Sequence, residues 1–155
     1  MKVEDILRTK DTRINTVRVN ESVETAMKLM KADNIGALVV KDVCRTEGNT
    51  VVGIISERDV IRALVERGST ILKQPVAGIM SRNLVTCGPG DPVRNVFQAM
   101  DEHTIRHVPV MDGFTLVGIV SIRDLIRLQL SPPSEEPWTF VAPVRRRDGL
   151  HSETA

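Results

Sequence analysis

Apolar residues recur with the spacing of one helical face at two places in the chain. Val23, Ala26, Met27 and Met30 stand at i, i+3, i+4 and i+7, and Val93, Val96, Phe97 and Met100 repeat that spacing. Each set is the buried stripe of an amphipathic helix. A short apolar run follows each one, Ile35 to Val40 after the first and Ile105 to Val110 after the second, and runs of that length read as strands. Next come two stretches that match almost position by position. Val52-Gly53-Ile54-Ile55-Ser56-Glu57-Arg58-Asp59-Val60-Ile61-Arg62 is answered by Val117-Gly118-Ile119-Val120-Ser121-Ile122-Arg123-Asp124-Leu125-Ile126-Arg127. In both, an apolar strand ends at a Ser and a helix begins at once, with Arg and Asp in its first turn.

The chain is therefore a tandem repeat, and the other elements fall into pairs. Val3, Ile6 and Leu7 share one face of a short helical lead-in, and Val76, Ile79 and Met80 do the same before the second copy, so each repeat is expected to start with a small apolar clip. Extended segments follow at Ile14 to Val19 and Leu84 to Cys87. The first amphipathic helix has Asn20 or Ser22 as its cap; the second has Asp91, with Pro92 at the first helical position. Gly88-Pro89-Gly90 lacks the Gly-Lys-Ser/Thr ending of a phosphate loop and reads as a plain turn. The last helices span Glu57 to Arg67, stopped by Gly68, and Ile122 to Leu130. The amphipathic helices lie 70 residues apart (Val23 to Val93) and the corners 65 (Asp59 to Asp124), so the connection Lys41 to Thr50 is the longer counterpart of Met111 to Thr115.

Each copy thus reads strand, helix, strand, strand, helix, an α+β unit. A three-stranded sheet with helices on one face cannot bury its apolar surface alone, so two copies should pack about a pseudo-two-fold axis into a disc. The expected division is 1–68, a link at 69–75, 76–130, and a tail at 131–155. The tail opens on Ser131-Pro132-Pro133-Ser134-Glu135-Glu136-Pro137 and carries Arg145-Arg146-Arg147, a breaker-rich composition that reads as flexible. Its apolar Trp138, Phe140 and Val141 offer a docking segment for a neighbouring subunit.

Composition narrows the function. The chain has 155 residues, 41% of them hydrophobic and 26% charged, enough for one domain or two halves sharing a core. With 21 basic residues against 20 acidic, the net charge of +1 draws it neither to nucleic acid nor to a membrane surface. Aromatics are 3%, too few to stack single-stranded bases. No run reaches the roughly 20 apolar residues of a membrane span, and the N-terminal residues lack a signal peptide's apolar core, so a cytoplasmic location is expected. Cys44 and Cys87 have no metal-ligand or redox spacing and read as free thiols.

Ser-x-x-Asp at a helix start is the pattern of a capping box, and capping alone accounts for Ser56 with Asp59 and Ser121 with Asp124. Capping does not require Arg58 and Arg123. At a helix N-terminus an Arg adds a planar fork for phosphate, the Ser a hydroxyl, and the Asp a carboxylate that accepts from both hydroxyls of a ribose. Local caps and ribose-phosphate sites both remain open. Gly36 can serve close packing or leave the backbone open to a flat group. Arg106 and His107 replace Gly36 and Ala37 in the second copy, as a surface pair or as functional residues, so the two copies are not chemically equivalent there.

With these residues the chain resembles a tandem pair of cystathionine-β-synthase-type (CBS) domains, or Bateman module, over about residues 1–130. The carriers are the Gly-hydrophobic-hydrophobic-Ser-x-x-Asp corners at Gly53 to Asp59 and Gly118 to Asp124. The Val76-to-Ser81 lead-in and the Ile105-to-Val110 strand support them. The resemblance implies a β-α-β-β-α unit, a flat homodimer, and regulation of an unidentified protein target. It also implies an adenosyl ligand, AMP, ADP or ATP, with NADH or S-adenosylmethionine as alternatives.

By the same resemblance each cleft is shared between copies. One takes ribose contacts from Asp124, phosphate contacts from Ser121 and Arg123, and a wall from Ile119. Lys10, Arg13 and Asn15 lie near its ligand, Ile35, Gly36 and Ala37 against the adenine, and Arg106 toward the phosphate. The other uses Ile54, Ser56, Arg58 and Asp59, opposite Ser81, Asn83 and Val85 with Ile105, Arg106 and His107. No catalytic set is expected: the sequence offers no Ser-His-Asp constellation, no metal-spaced His/Cys cluster and no Walker-type loop.

Overall fold

Ser22 is extended and its Oγ accepts the Thr25 N–H at 3.1 Å, so helix α2 (Val23–Ala32) starts where the sequence places a cap. The computed structural model describes residues 1–11, 13–44 and 48–129. After α2 the chain reverses through Asn34 (φ 51°) into β2 (Ala37–Cys44). This strand pairs in parallel with β1 (Thr16–Arg18) on one edge and antiparallel with β3 (Gly48–Ser56) on the other. Helix α3 (Glu57–Arg67) follows β3 without a gap and stops at Gly68 (φ 75°), a left-handed position that suits glycine. Strand alternation sends Leu38, Val40 and Ile55 to the face covered by Val23, Ala26 and Met30 of α2 and by Val60 and Ala63 of α3. Each fully buried apolar side chain of this size contributes about 1.5–3 kcal/mol, so this face holds the repeat together.

The second repeat is α4 (Val93–Glu102), β4 (His107–Asp112), β5 (Thr115–Ser121) and α5 (Ile122–Gln129), around Val96, Met100, Val108, Val110, Val120 and Leu125. Both hairpins shift register at equivalent points, Val40/Lys41 and Val110/Met111. The first hairpin's strands run further than expected, pairing Lys41 through Cys44 with Val51 through Gly48. No helix among the described residues is long and apolar enough to cross a membrane. The tip at residues 45–47, Leu130 and the tail with its Trp138, Phe140 and arginine run lie outside the described residues.

Three expectations are corrected. Leu84 to Cys87 is not a strand: only Cys87 bridges to Val110, leaving a two-stranded sheet where the first repeat has three. Pro109 stands where the first repeat has Val39, and without an N–H it cannot carry the parallel ladder toward residues 84–86. Asp91 does not cap α4. Its Oδ2 accepts the Gly88 N–H at 2.7 Å to close the Gly-Pro-Gly turn, and the N-cap is Pro92, with no side-chain bond. Residues 69–75 are more than a link, for Ser69–Lys73 is a 3-10 turn whose Ile71 is fully buried in the first core.

The lead-ins are exchanged between the repeats. Val3 and Ile6 of α1 (Val3–Arg8) pack in the second repeat's core, while Val76 and Met80 pack in the first's. The backbone follows: Val3 N–H donates to Asp91 O at 3.0 Å and Val93 N–H to Met1 O at 3.1 Å. Likewise Val76 N–H donates to Glu21 O at 2.8 Å and Val23 N–H to Gln74 O at 2.9 Å. Each repeat is clipped by the lead-in of the other.

Candidate functional site

The exchange carries the segments after the lead-ins past the strand-to-helix corner of the opposite repeat, and the corner glycines make room for them. A Cβ on Gly53 would stand 2.8 Å from Ser81 O and 2.7 Å from Met80 Sδ; one on Gly118 would stand 2.6 Å from Leu7 Cδ2. At the first corner the two backbones bond directly, with Ile54 N–H donating to Ser81 O at 3.1 Å and Ser81 N–H to Ile54 O at 2.8 Å.

Both corners are capping boxes. Asp59 Oδ2 accepts from Ser56 N–H at 2.9 Å and Ser56 Oγ–H at 3.0 Å, and Asp124 Oδ2 accepts from Ser121 N–H at 2.8 Å and Ser121 Oγ–H at 3.0 Å. Capping occupies one oxygen of each acid, and among the described residues no donor sits on either Oδ1. Glu57 N–H donates to Gly36 O at 3.0 Å and Ile122 N–H to Arg106 O at 2.8 Å, which fixes each corner against the loop that precedes the repeat's own inner strand.

Two hollows open where the repeats meet. The first, about 430 Å³, is lined by Lys10, Arg13, Asn15, Ile35, Gly36, Ala37, Arg106, Ile119, Ser121, Arg123 and Asp124. The second, about 540 Å³, is lined by Ile54, Ser56, Arg58, Asp59, Ser81, Asn83, Val85, Ile105, Arg106 and His107. Every residue named for a cleft from the sequence thus stands on its wall. Gly36, Ala37, Glu57, Arg106 and His107 line both hollows, so the two adjoin across a central gap. Arg58 lies across the second, its Nη1 donating to Thr104 O of the other repeat at 3.2 Å.

The first hollow differs in one feature. Lys10 Nζ donates to Asp124 Oδ2 at 2.7 Å and to Ile119 O at 2.8 Å, tying the segment after α1 to the corner of the second repeat. Burial alone would raise the Asp124 pKa. Hydrogen bonds from Lys10 and the Ser121 N–H and the Lys10 charge outweigh it and hold the carboxyl below its ordinary range. His107 packs on Gly36, where a Cβ would lie 3.2 Å from its Cε1. Burial, the Lys10 charge and the Arg106 charge push its pKa down against the opposing pull of Asp124, which favours the neutral ring.

Sequence reasoning missed Glu57, which faces both hollows, and the pair Arg62 and Arg127 on the walls of the second and first. The signal for the arginines was present. Each stands four residues after the corner Arg, on the same helical face, and recurs in both copies.

These features define a class: two copies of one α+β unit, interlocked by exchanged lead-ins, with a cleft at each strand-to-helix corner walled by the opposite copy. The CBS-domain family profile matches residues 3–66 and 76–131, and the chain belongs to that family, carrying the domain twice. It is 33% identical to the CBS domain-containing protein YhcV of Bacillus subtilis over 126 residues, 81% of this chain and 86% of that one. The crystallised putative signal-transduction protein with CBS domains from Burkholderia ambifaria superposes with a TM-score of 0.77 at 31% identity, covering 91% of this chain and 100% of that one. The CBS domain pair of protein MJ0100, solved in complex with 5′-methylthioadenosine and S-adenosylmethionine, gives a TM-score of 0.70 at 31% identity over 83% of this chain and 94% of that one.

Proposed function

We propose that the protein is a nucleotide sensor that takes an adenine nucleotide, AMP, ADP or ATP, into the clefts between its repeats. Occupancy then alters how the halves sit and so regulates an unidentified protein target. One observation carries this reading: each hollow faces a Ser/Arg/Asp corner of one repeat toward a wall of the other, so a ribose-phosphate seated there touches both. The free Oδ1 of each acid suits ribose hydroxyls, and Arg123 and Arg127, or Arg58 and Arg62, suit the phosphate. The role is binding rather than catalysis, since the Oδ2 of each carboxylate is committed to its own cap. A homodimer belongs to the reading, because Ile61 and Val65 of α3, Phe97 of α4 and Ile126 of α5 leave apolar surface exposed on the helices.

S-adenosylmethionine stays within the ligand class, as the MJ0100 pair was solved with it. The five residues shared by the two hollows favour a second reading, in which a dinucleotide such as NADH reaches through the central gap. Thermal melting with AMP, ADP, ATP, NADH and S-adenosylmethionine separates these. A ligand at a hundred times its dissociation constant adds about 2.7 kcal/mol. Mass spectrometry of small molecules released on denaturing the purified protein gives an independent reading. No shift with any of the five, together with no adenosyl compound released, defeats the proposal.

A further inference from the structure

Resting on the nucleotide reading, we propose that Lys10 makes the cleft at Asp124 require phosphate, while the cleft at Asp59 takes an adenosyl ligand with or without it. The two corners are otherwise near copies. In each, an aspartate Oδ2 accepts from the Ser N–H and hydroxyl at 2.8–3.0 Å. The difference is the third donor. At Asp124 the same oxygen also holds Lys10 Nζ at 2.7 Å, and Lys10 further holds Ile119 O at 2.8 Å. At Asp59 the counterpart carbonyl, Ile54 O, is held by the Ser81 N–H, and no lysine lines that hollow among the described residues.

A ribose takes the free Oδ1 of Asp124 with one hydroxyl, and where its second hydroxyl reaches Oδ2 it competes with an ammonium for that acceptor. Lys10 keeps only 34% of its side chain exposed, so displacing it into that cleft without a new partner strands a partly desolvated charge. A phosphate supplies the partner. The lysine stem is flexible enough to swing from carboxylate to phosphate, and Arg13, Arg123 and Arg127 on the same walls hold the anion beside it. Adenosine offers nothing in exchange. At Asp59 there is no ammonium to displace, so a ligand lacking phosphate enters on equal terms.

The experiment isolates the Asp124 cleft. Asn at position 59 keeps an oxygen for the Ser56 cap but removes the ribose-binding carboxylate, so calorimetric titration of the full-length Asp59→Asn protein with adenosine and with ATP reads the remaining cleft. Adding Lys10→Met should tighten adenosine and weaken ATP, lowering the ATP-to-adenosine affinity ratio by roughly ten- to a hundredfold, the range of one charge-assisted bond. Lys10→Arg should keep most of that ratio. Adenosine binding that is unchanged or weakened by Lys10→Met overturns the inference, as does a wild-type protein that loses all nucleotide binding with Asp59→Asn and none with Asp124→Asn; in either case the nucleotide reading survives. A wild-type protein that binds neither adenosine nor ATP removes both. Melting curves of the Lys10 variants check the fold, since Asp124 keeps its Ser121 donors in each.

Discussion

Replacing Gly53 by Ala tests whether the corner glycines exist to let one repeat's lead-in lie against the other repeat's strand. The added Cβ would sit 2.8 Å from Ser81 O, 2.7 Å from Met80 Sδ and 3.2 Å from Met80 Cγ. Met80 can turn aside, but Ser81 O is a backbone atom held by the Ile54 N–H at 3.1 Å and cannot retreat without stretching that bond. Overpacking of this kind costs about 1–3 kcal/mol and a weakened hydrogen bond about 0.5–1.5 kcal/mol, while Gly→Ala returns about 0.4–1 kcal/mol by restricting the unfolded chain. The net is a loss of about 2 kcal/mol. Gly118→Ala is the internal control, because the three atoms nearest its Cβ are Leu7 side-chain carbons, the closest at 2.6 Å. A rotamer change in Leu7 costs about 0.5–1.5 kcal/mol, nearly offset by the same unfolded-state gain, so a loss below about 1 kcal/mol is expected. Urea denaturation with unchanged m-values measures both. Hydrogen exchange at the Ile54 and Ser81 amides should accelerate in the Gly53 variant alone. Equal losses, or a larger one at Gly118, would refute the close-approach argument.

Three further outcomes are expected. Thr104 adopts φ 54° where the first repeat has Asn34 at 51°; a β-branched residue is strained there, so Thr104→Asn should stabilise by about 0.5–1 kcal/mol in the same denaturation assay. Burial, reinforced by the Asp91 charge, pushes the Cys87 thiol up to about 11, so alkylation mapped by mass spectrometry at neutral pH should leave Cys87 unmodified until the protein unfolds. The Asp124 carboxyl is held below its unfolded value, so its contribution to stability is full above about pH 4 and is lost as pH falls through the lower folded pKa. Asp124→Asn should therefore flatten the acid limb of the stability–pH curve, and an unchanged limb would show that the Lys10 pairing does not bear on folding.

What could be read in advance was local. A strand that runs into a Ser-capped helix needs only neighbouring residues to specify it, and its recurrence at Ser121 marked the repeat and the Ser/Arg/Asp corners, while the facing walls came from the resemblance to CBS-domain pairs. Pro109 was equally local evidence: a missing N–H facing residues 84–86 forbids the ladder that Leu84 to Cys87 would need, and the periodic pattern alone hid it. The exchange of lead-ins was not available. Val3 and Ile6 announce a buried face, but an apolar stripe does not say which apolar surface will cover it, and each lead-in had its own repeat as the nearer choice. The resemblance puts Lys10 near a ligand at Asp124, but nothing in the sequence shows the direct bond between these two residues, which stand 114 positions apart.

On the proposed function, the exchange would also make the clefts responsive. If each lead-in packed on its own repeat, a ligand at a corner would touch one rigid unit and report nothing beyond its own presence. Because Lys10, Arg13 and Asn15, and Ser81, Asn83 and Val85, stand against the opposite repeat, each hollow is bounded by two bodies with separate apolar cores. A ligand there adds contacts whose strength depends on how those bodies are set, and its effect on the arrangement equals the difference between its affinities for the alternatives. Arg106 and His107 sharpen the point. They line both hollows from a single strand entrance, with the imidazole pressed on Gly36, so a phosphate that draws Arg106 toward one side takes it from the other. On the proposed function, two phosphates competing for the one Arg106 guanidinium would not fill the two hollows independently.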